Sequence, residues 1–211
     1  MQYFVYVGVS RMSDTFVNYF GGSSVSLKPK TVDIIVKLES SGTVYSKVHN
    51  HCMNKYIKLI NILNKYPQLQ TDISVLDGTV RACKDKVTYS THVRLRLPVT
   101  KLKYFGGLTK RHRFKLHSMS SSVYIHYMRP DVDVGKEELE RVLWRLCMMN
   151  QDDSSDGILV SSCKIHYTEF CYPLSSSFEK KRTSWYALGF DSAIPELSIY
   201  GYMWTKVCKA S

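Results

Sequence analysis

The sequence predicts an α+β fold: a single domain, residues 1–211, built on a twisted, mainly antiparallel sheet with two amphipathic helices. Three observations carry this expectation. Residues 86–98, "KVTYSTHVRLRLP", alternate apolar and polar positions throughout, the mark of a strand half-buried on a sheet. Two well-separated segments switch to helical spacing. A chain of 211 residues that is 44% hydrophobic is also long enough to bury one sizeable core.

Taken in order, "YFVYVGV" near the start is expected to be a strand, and "TVDIIVKLE" (31–39) a second, with Val32, Ile34, Val36 and Leu38 on one face. In "SKVHNHCMNKYIKLINILNK" the residues Val48, Cys52, Tyr56, Leu59 and Leu63 recur at three and four positions, and Pro67 closes the helix. The strand at 86–98 aims Val87, Tyr89, Thr91, Val93, Leu95 and Leu97 one way and Arg94 and Arg96 the other, until Pro98 ends the ladder. "SSVYIHYM" is a further strand. "GKEELERVLWRLCMM" (135–149) is the second helix, burying Leu139, Val142, Leu143, Leu146 and Cys147, with Glu137 and Glu138 near its positive end. "GILVSSCKIHY", "TSWYALGF" and "LSIYGYMWTKV" complete the strands. Serine clusters at 120–122, 154–155 and 175–177 read as loops.

The balance of 29 Lys+Arg against 18 Asp+Glu gives a net charge of +11, which favours anionic partners. Six scattered cysteines read as small core residues in a reducing compartment. The first residues lack a positive leader and no apolar run reaches the roughly 20 residues of a spanning helix, so the expectation is a protein that is neither secreted nor membrane-spanning.

Motifs for chemistry are weak. "HNHC" puts His49 and Cys52 on one helical face and His51 off it. In "CKIHYTEFC" a strand would send Cys163 and His166 to opposite faces. His166-Tyr167-Thr168 is half of a paired phosphoesterase motif with no second copy, and one histidine cannot serve both sides of a phosphodiester. "YPQL" (66–69) has the form of a recruitment peptide, but Tyr-Pro also ends a helix and would turn Leu69 into the core. No cofactor, metal, enzymatic activity or small-molecule substrate is expected.

The segment that departs from ordinary surface is "KLKYFGGLTKRHRFKLH", residues 101–117. It holds Lys101, Lys103, Lys110, Arg111, Arg113 and Lys115 with no acid among them, a one-signed stretch that repels itself unless an anion comes. Arg94 and Arg96 could extend the positive surface. Tyr104, Phe105 and Leu108, broken by two glycines, read as an exposed apolar tip for self-association or membrane contact. Bases stacking on rings, insertion between anionic headgroups and docking into a neighbouring copy all fit such a tip.

The order of elements over about 31–167 resembles the matrix protein family of rhabdoviruses. The resemblance rests on "YIKLINILNK", then "VTYSTHVRLRLP" ending in Leu-Pro, then the basic stretch running into "SSVYIHYMRPDVD", and a closing helix and strand. It implies a matrix-like core at 31–167; residues 168–211 extend beyond the resemblance, and their tyrosines and tryptophans suggest a C-terminal β extension, a packed hairpin. It also implies an exposed loop after Leu97-Pro98 that mediates self-association. The expectation is then a non-enzymatic viral structural protein that self-associates into homo-oligomers. It would bridge an anionic membrane surface and a viral ribonucleoprotein, residing in host cytoplasm or nucleus, at the inner membrane face and in the virion. The family's usual lysine-rich tail with its Pro-Pro-x-Tyr motif is not among these residues, so membrane targeting and budding by the family's ordinary route are not part of the expectation. The alternative is a viral RNA-binding module, a movement protein or silencing suppressor, using the same basic surface.

Overall fold

In a computed structural model of the chain, the described residues are 5–13, 16–120, 122–149, 158–172, 178–188 and 194–209. The first part of the chain forms β1 (Val5–Ser13), β2 (Phe16–Leu27), β3 (Thr31–Gly42), α1 (Tyr45–Leu63), β4 (Asp72–Cys83) and β5 (Lys86–Pro98). Then come α2 (Leu102–Arg111), α3 (Arg113–Met119), β6 (Ser122–Tyr127), α4 (Val132–Met149), β7 (Ile158–Tyr172), β8 (Lys181–Thr183) and β9 (Glu196–Lys209). The class is α+β and the sheets are antiparallel, as expected from the sequence. The strands divide between two sheets, ordered β1-β2-β9-β7 and β4-β5-β3-β6-β8.

Contacts divide the chain into two compact units. One contains the five-stranded sheet with α1, α2, α3 and the segment around Trp185; the other contains the four-stranded sheet with α4. The expected division into 31–167 and 168–211 follows neither unit, because β7 and β9 lie side by side in the same sheet as β2.

In the five-stranded unit, the alternation read from residues 86–98 holds. Val93, Leu95 and Leu97 are buried, and so are Val32, Ile34, Val36 and Leu38 on β3 and Val123, Ile125 and Tyr127 on β6. Against this face α1 packs Cys52, Leu59, Ile62 and Leu63. Its chain then turns at Pro67 through one short 3-10 turn, and Leu69 enters the core, as the turn reading of Tyr-Pro requires.

In the four-stranded unit, α4 lays Leu139 and Leu143 on Val25, Ile199 and Met203. The approach is close because Gly201 has no side chain: a Cβ there would stand 2.5 Å from Leu139 Cδ2. Tyr167 hydrogen-bonds Glu140 on the same helix, and burial together with that carboxylate pushes its phenol well above the ordinary range.

Four elements depart from the sequence reading. β2 and β4 are strands that the pattern did not reveal. β4 is an exposed edge strand with Val75 and Val80 outward, so it lacks the half-buried alternation; in β2 the pair Gly21-Gly22 breaks the sequence pattern, although the strand runs through it. Among its described residues, 183–188, "TSWYALGF" is a strand only at Thr183; Trp185 to Leu188 form a turn that sends Trp185 and Leu188 into the core. Residues 101–117 are helical, which bears directly on the site. The loops expected at 154–155 and 175–177 lie outside the described residues.

Candidate functional site

Pro98 ends β5, and a single 3-10 turn, Val99–Lys101, leads into α2. Leu102, Phe105 and Leu108 recur at three-residue steps, followed by Leu116 and Met119 in α3, and all five join the core. Phe105 is 1% exposed and Leu108 4%. The expected apolar tip therefore does not exist: two of its three members are core residues, because a helix turns that spacing toward the sheet. Only Tyr104 remains exposed, at 44%, with its hydroxyl accepting a hydrogen bond from Gln68 at 2.6 Å.

Trp185 fastens these helices. Its indole Nε1 donates to the Ser120 carbonyl at 3.0 Å, and the buried Thr109 hydroxyl stands 2.8 Å from both the Trp185 and Gly106 carbonyls. With the apolar side of α2 tied down, its cations are turned outward. Lys103, Lys110 and Arg111 are exposed on α2, Lys115 on α3, and Lys101 is half-buried in the preceding turn. The backbone of Arg113 begins α3, and its side chain lies outside those described.

Arg94 and Arg96 do not extend this surface. The helices cover the Val93-Leu95-Leu97 face of β5, so period two sends both arginines to the opposite face. Arg96 is also matched there: it grips the buried Asp33 carboxylate through Nε at 2.7 Å and Nη2 at 2.9 Å. That bidentate bond raises the guanidinium's pKa further. Arg94 donates through Nε to the Ser74 hydroxyl at 3.1 Å.

Beside α2 lies an open cleft of about 460 Å³ lined by Tyr66, Thr100, Lys103, Tyr104, Gly107, Leu108 and Arg111. Lys103, Gly107 and Arg111 succeed one another at four-residue steps, which puts them in one row along the helix. The two cations stand about 12 Å apart at the backbone by helical rise. Between them Gly107 has open space, with nothing within 4 Å of where a Cβ would be. Tyr66 closes one side, its hydroxyl 3.0 Å from His112 Nε2 and its ring edge-on to that imidazole. No carboxylate is among the described lining residues. Two cations, two phenols and one threonine hydroxyl can hold a phosphate and face an aromatic base; the set contains no paired nucleophile and base. Sequence reasoning found the cations but missed Tyr66, Thr100 and Gly107. The four-residue row at 103, 107 and 111 was the available signal, obscured by reading Gly106-Gly107 as the break in an exposed tip.

The other motifs resolve simply. His49 packs edge-on against Tyr89 while Cys52 is buried, where the lost hydration raises its thiol pKa. Cys163 faces the α4 side and His166 the exposed side of β7, as opposite parity requires. Cys171 is half-buried and Cys83 exposed. Among the described residues no group of three His, Cys, Asp or Glu is gathered as a metal site, and no helix is long and apolar enough to cross a membrane. No protein-family model matches the chain, and no curated protein does.

Proposed function

We propose that the protein is a non-enzymatic binder of single-stranded nucleic acid, RNA in the viral setting that the matrix resemblance implies, and that the α2 cleft holds its phosphates. The observation that carries this reading is the row Lys103-Gly107-Arg111, open above the glycine, flanked by Tyr66 and Tyr104, and lined by no carboxylate among the described residues. Cations aligned on a rigid helix follow a phosphate backbone, and neighbouring phenols offer rings on which unpaired bases stack. The net charge of +11 supplies the long-range attraction.

The matrix-type role loses the part through which it would insert or self-associate, since Phe105 and Leu108 are buried. Lysines alone give about 1 kcal/mol each toward anionic lipid, and without an apolar wedge that attraction is wholly salt-sensitive. Contact with a ribonucleoprotein remains within the reading. Host cytoplasm or nucleus is then the compartment where the ligand is met.

The test is fluorescence anisotropy with a labelled single-stranded RNA between about 50 and 200 mM salt. Each phosphate contact contributes a log–log slope of about −0.7 on single strands. Lys103→Gln with Arg111→Gln should therefore flatten the slope by about 1.4. Absence of RNA binding at low salt, with pelleting on phosphatidylserine vesicles that survives high salt, would overturn the proposal.

A further inference from the structure

Among the described residues of its own unit, the four-stranded sheet carries a helix on one face only. The filled side is fixed by α4: Leu139 sits where a Cβ on Gly201 would be, and Ile199 and Met203 join it in the core. Period two then obliges the alternate residues of β9 to face away. Those residues are Tyr200, Tyr202 and Trp204, and all three are exposed, Trp204 at 52%. Phe170 on β7 is exposed beside them, edge-on to Tyr200 with centroids 5.5 Å apart.

Four exposed aromatics on one sheet face are not what a solvated surface needs. Burying them would cost nothing in charge, yet the chain displays them on consecutive outward positions. Their neighbours indicate what they meet. Lys164 is the direct cross-strand partner of Trp204, and His166 that of Tyr202, and both are exposed. On the other side of β9, Gly22 is opposite Tyr202, with the ring 3.4 Å from where a Cβ would stand, so the platform is flat there. The acid at one end, Glu196, is held by the Ser26 hydroxyl and by Lys28 at 3.5 Å. Glu169 belongs to the α4 side, 3.8 Å from Lys136.

We infer that this face is a stacking platform for the bases of a single-stranded nucleic acid, with Tyr202 and Trp204 as its principal rings and Lys164 as a phosphate contact. The spacing suits it. Successive outward residues of a strand are about 6.7 Å apart, twice the roughly 3.4 Å per nucleotide of a stacked strand. The rings therefore accept bases that are splayed apart, the form in which single strands are read on aromatic side chains. Lys164, set directly opposite Trp204, supplies charge complementary to a phosphate beside a stacked base. The inference rests on the nucleic-acid reading above but uses different residues, in a different compact unit.

The experiment compares four proteins on one labelled single-stranded RNA: wild type, Tyr202→Leu, Trp204→Leu, and the Lys103→Gln/Arg111→Gln double variant. Leucine keeps an apolar side chain on the sheet and removes the π-face, and thermal melting checks that each variant is folded. Each leucine variant should bind roughly 5- to 150-fold more weakly with an unchanged salt slope, because no phosphate contact is lost. RNA should also quench tryptophan fluorescence in the wild type and much less in Trp204→Leu. If the leucine variants bind like wild type while the double variant is impaired, the platform is wrong and the cleft stands. If only the leucine variants are impaired, the platform stands and the cleft is wrong. If the wild type binds no RNA, both are overturned. If wild type sediments as a dimer that the leucine variants dissociate, with RNA affinity unchanged, the face is a contact between copies and the inference fails.

Discussion

Phe105 and Trp204 sit in similar company along the chain: aromatic residues, each with another ring nearby and a lysine two positions away. Their fates are opposite. Phe105, in the segment that reads as an exposed tip, is 1% exposed; Trp204, in the segment that reads as a packed hairpin, is 52% exposed. Composition is the same in both places, and the backbone period makes the difference. A helix carries Phe105 together with Leu102 and Leu108 onto one side, so Lys103 between them faces water without pulling the ring out. A strand gives each residue a face by parity alone, and on β9 the inward parity belongs to Leu197, Ile199, Gly201 and Met203. The large rings have the other.

The contrast can be broken most directly by truncating both rings. Phe105→Ala should lower the unfolding free energy by about 3–5 kcal/mol, while Trp204→Ala should cost much less, because that ring is already 52% exposed; chemical denaturation measures both. Equal losses would mean that the outer face of β9 is covered. Cations obey the same contrast. Arg96→Ala leaves the Asp33 carboxylate without its bidentate partner and should cost about 1.5–3 kcal/mol, whereas Lys103→Ala, on the open side of α2, should leave the melting temperature nearly unchanged and weaken RNA binding.

Glycines sharpen it further. Gly201→Ala would drive a methyl into Leu139 at 2.5 Å and should destabilise by about 1–3 kcal/mol. Gly107→Ala meets nothing within 4 Å and lies inside a helix, so it should stabilise by about 0.5–1 kcal/mol. The smallest effect concerns pH. Hydrogen bonding from Lys37, with the nearby positive charges, holds the Glu39 carboxyl below its ordinary value. Because the folded-state value is lowered, this contribution is present above the unfolded carboxylate pKa, about 4.3, and is lost as pH falls through the lowered value. The stability difference between wild type and Glu39→Gln should therefore shrink on acidification below about pH 4, with most of the change near neutrality absent.

Strands β3 and β5 and helices α1 and α4 were legible because each has a single buried stripe of the right period, long enough to stand out. β4 was not, since an edge strand with Val75 and Val80 outward has no stripe. The helices α2 and α3 were hidden for another reason. Leu102, Phe105 and Leu108 do follow helical spacing, but Gly106-Gly107 and the density of lysines argue locally for a loop, and tertiary packing overrides that preference. Trp185, far along the chain, is what clamps them through Thr109 and Ser120. Of the site, the cations could be read, and the cleft beside them could not, because its far wall, Tyr66, comes from just past the end of α1, well before α2 in the chain.

The sequence by itself determined the α+β class, the alternation of β5, the helical stripes of α1 and α4, and an excess of positive charge that seeks anions. These are local periods and sums, which need no partner to exist. Tertiary structure alone decided which aromatic residues are core and which are displayed, that Arg96 is matched to Asp33, and that Lys103 and Arg111 border one cleft. Each of those depends on which face of an element meets another, and a face is filled only when residues distant in the chain arrive to pack against it.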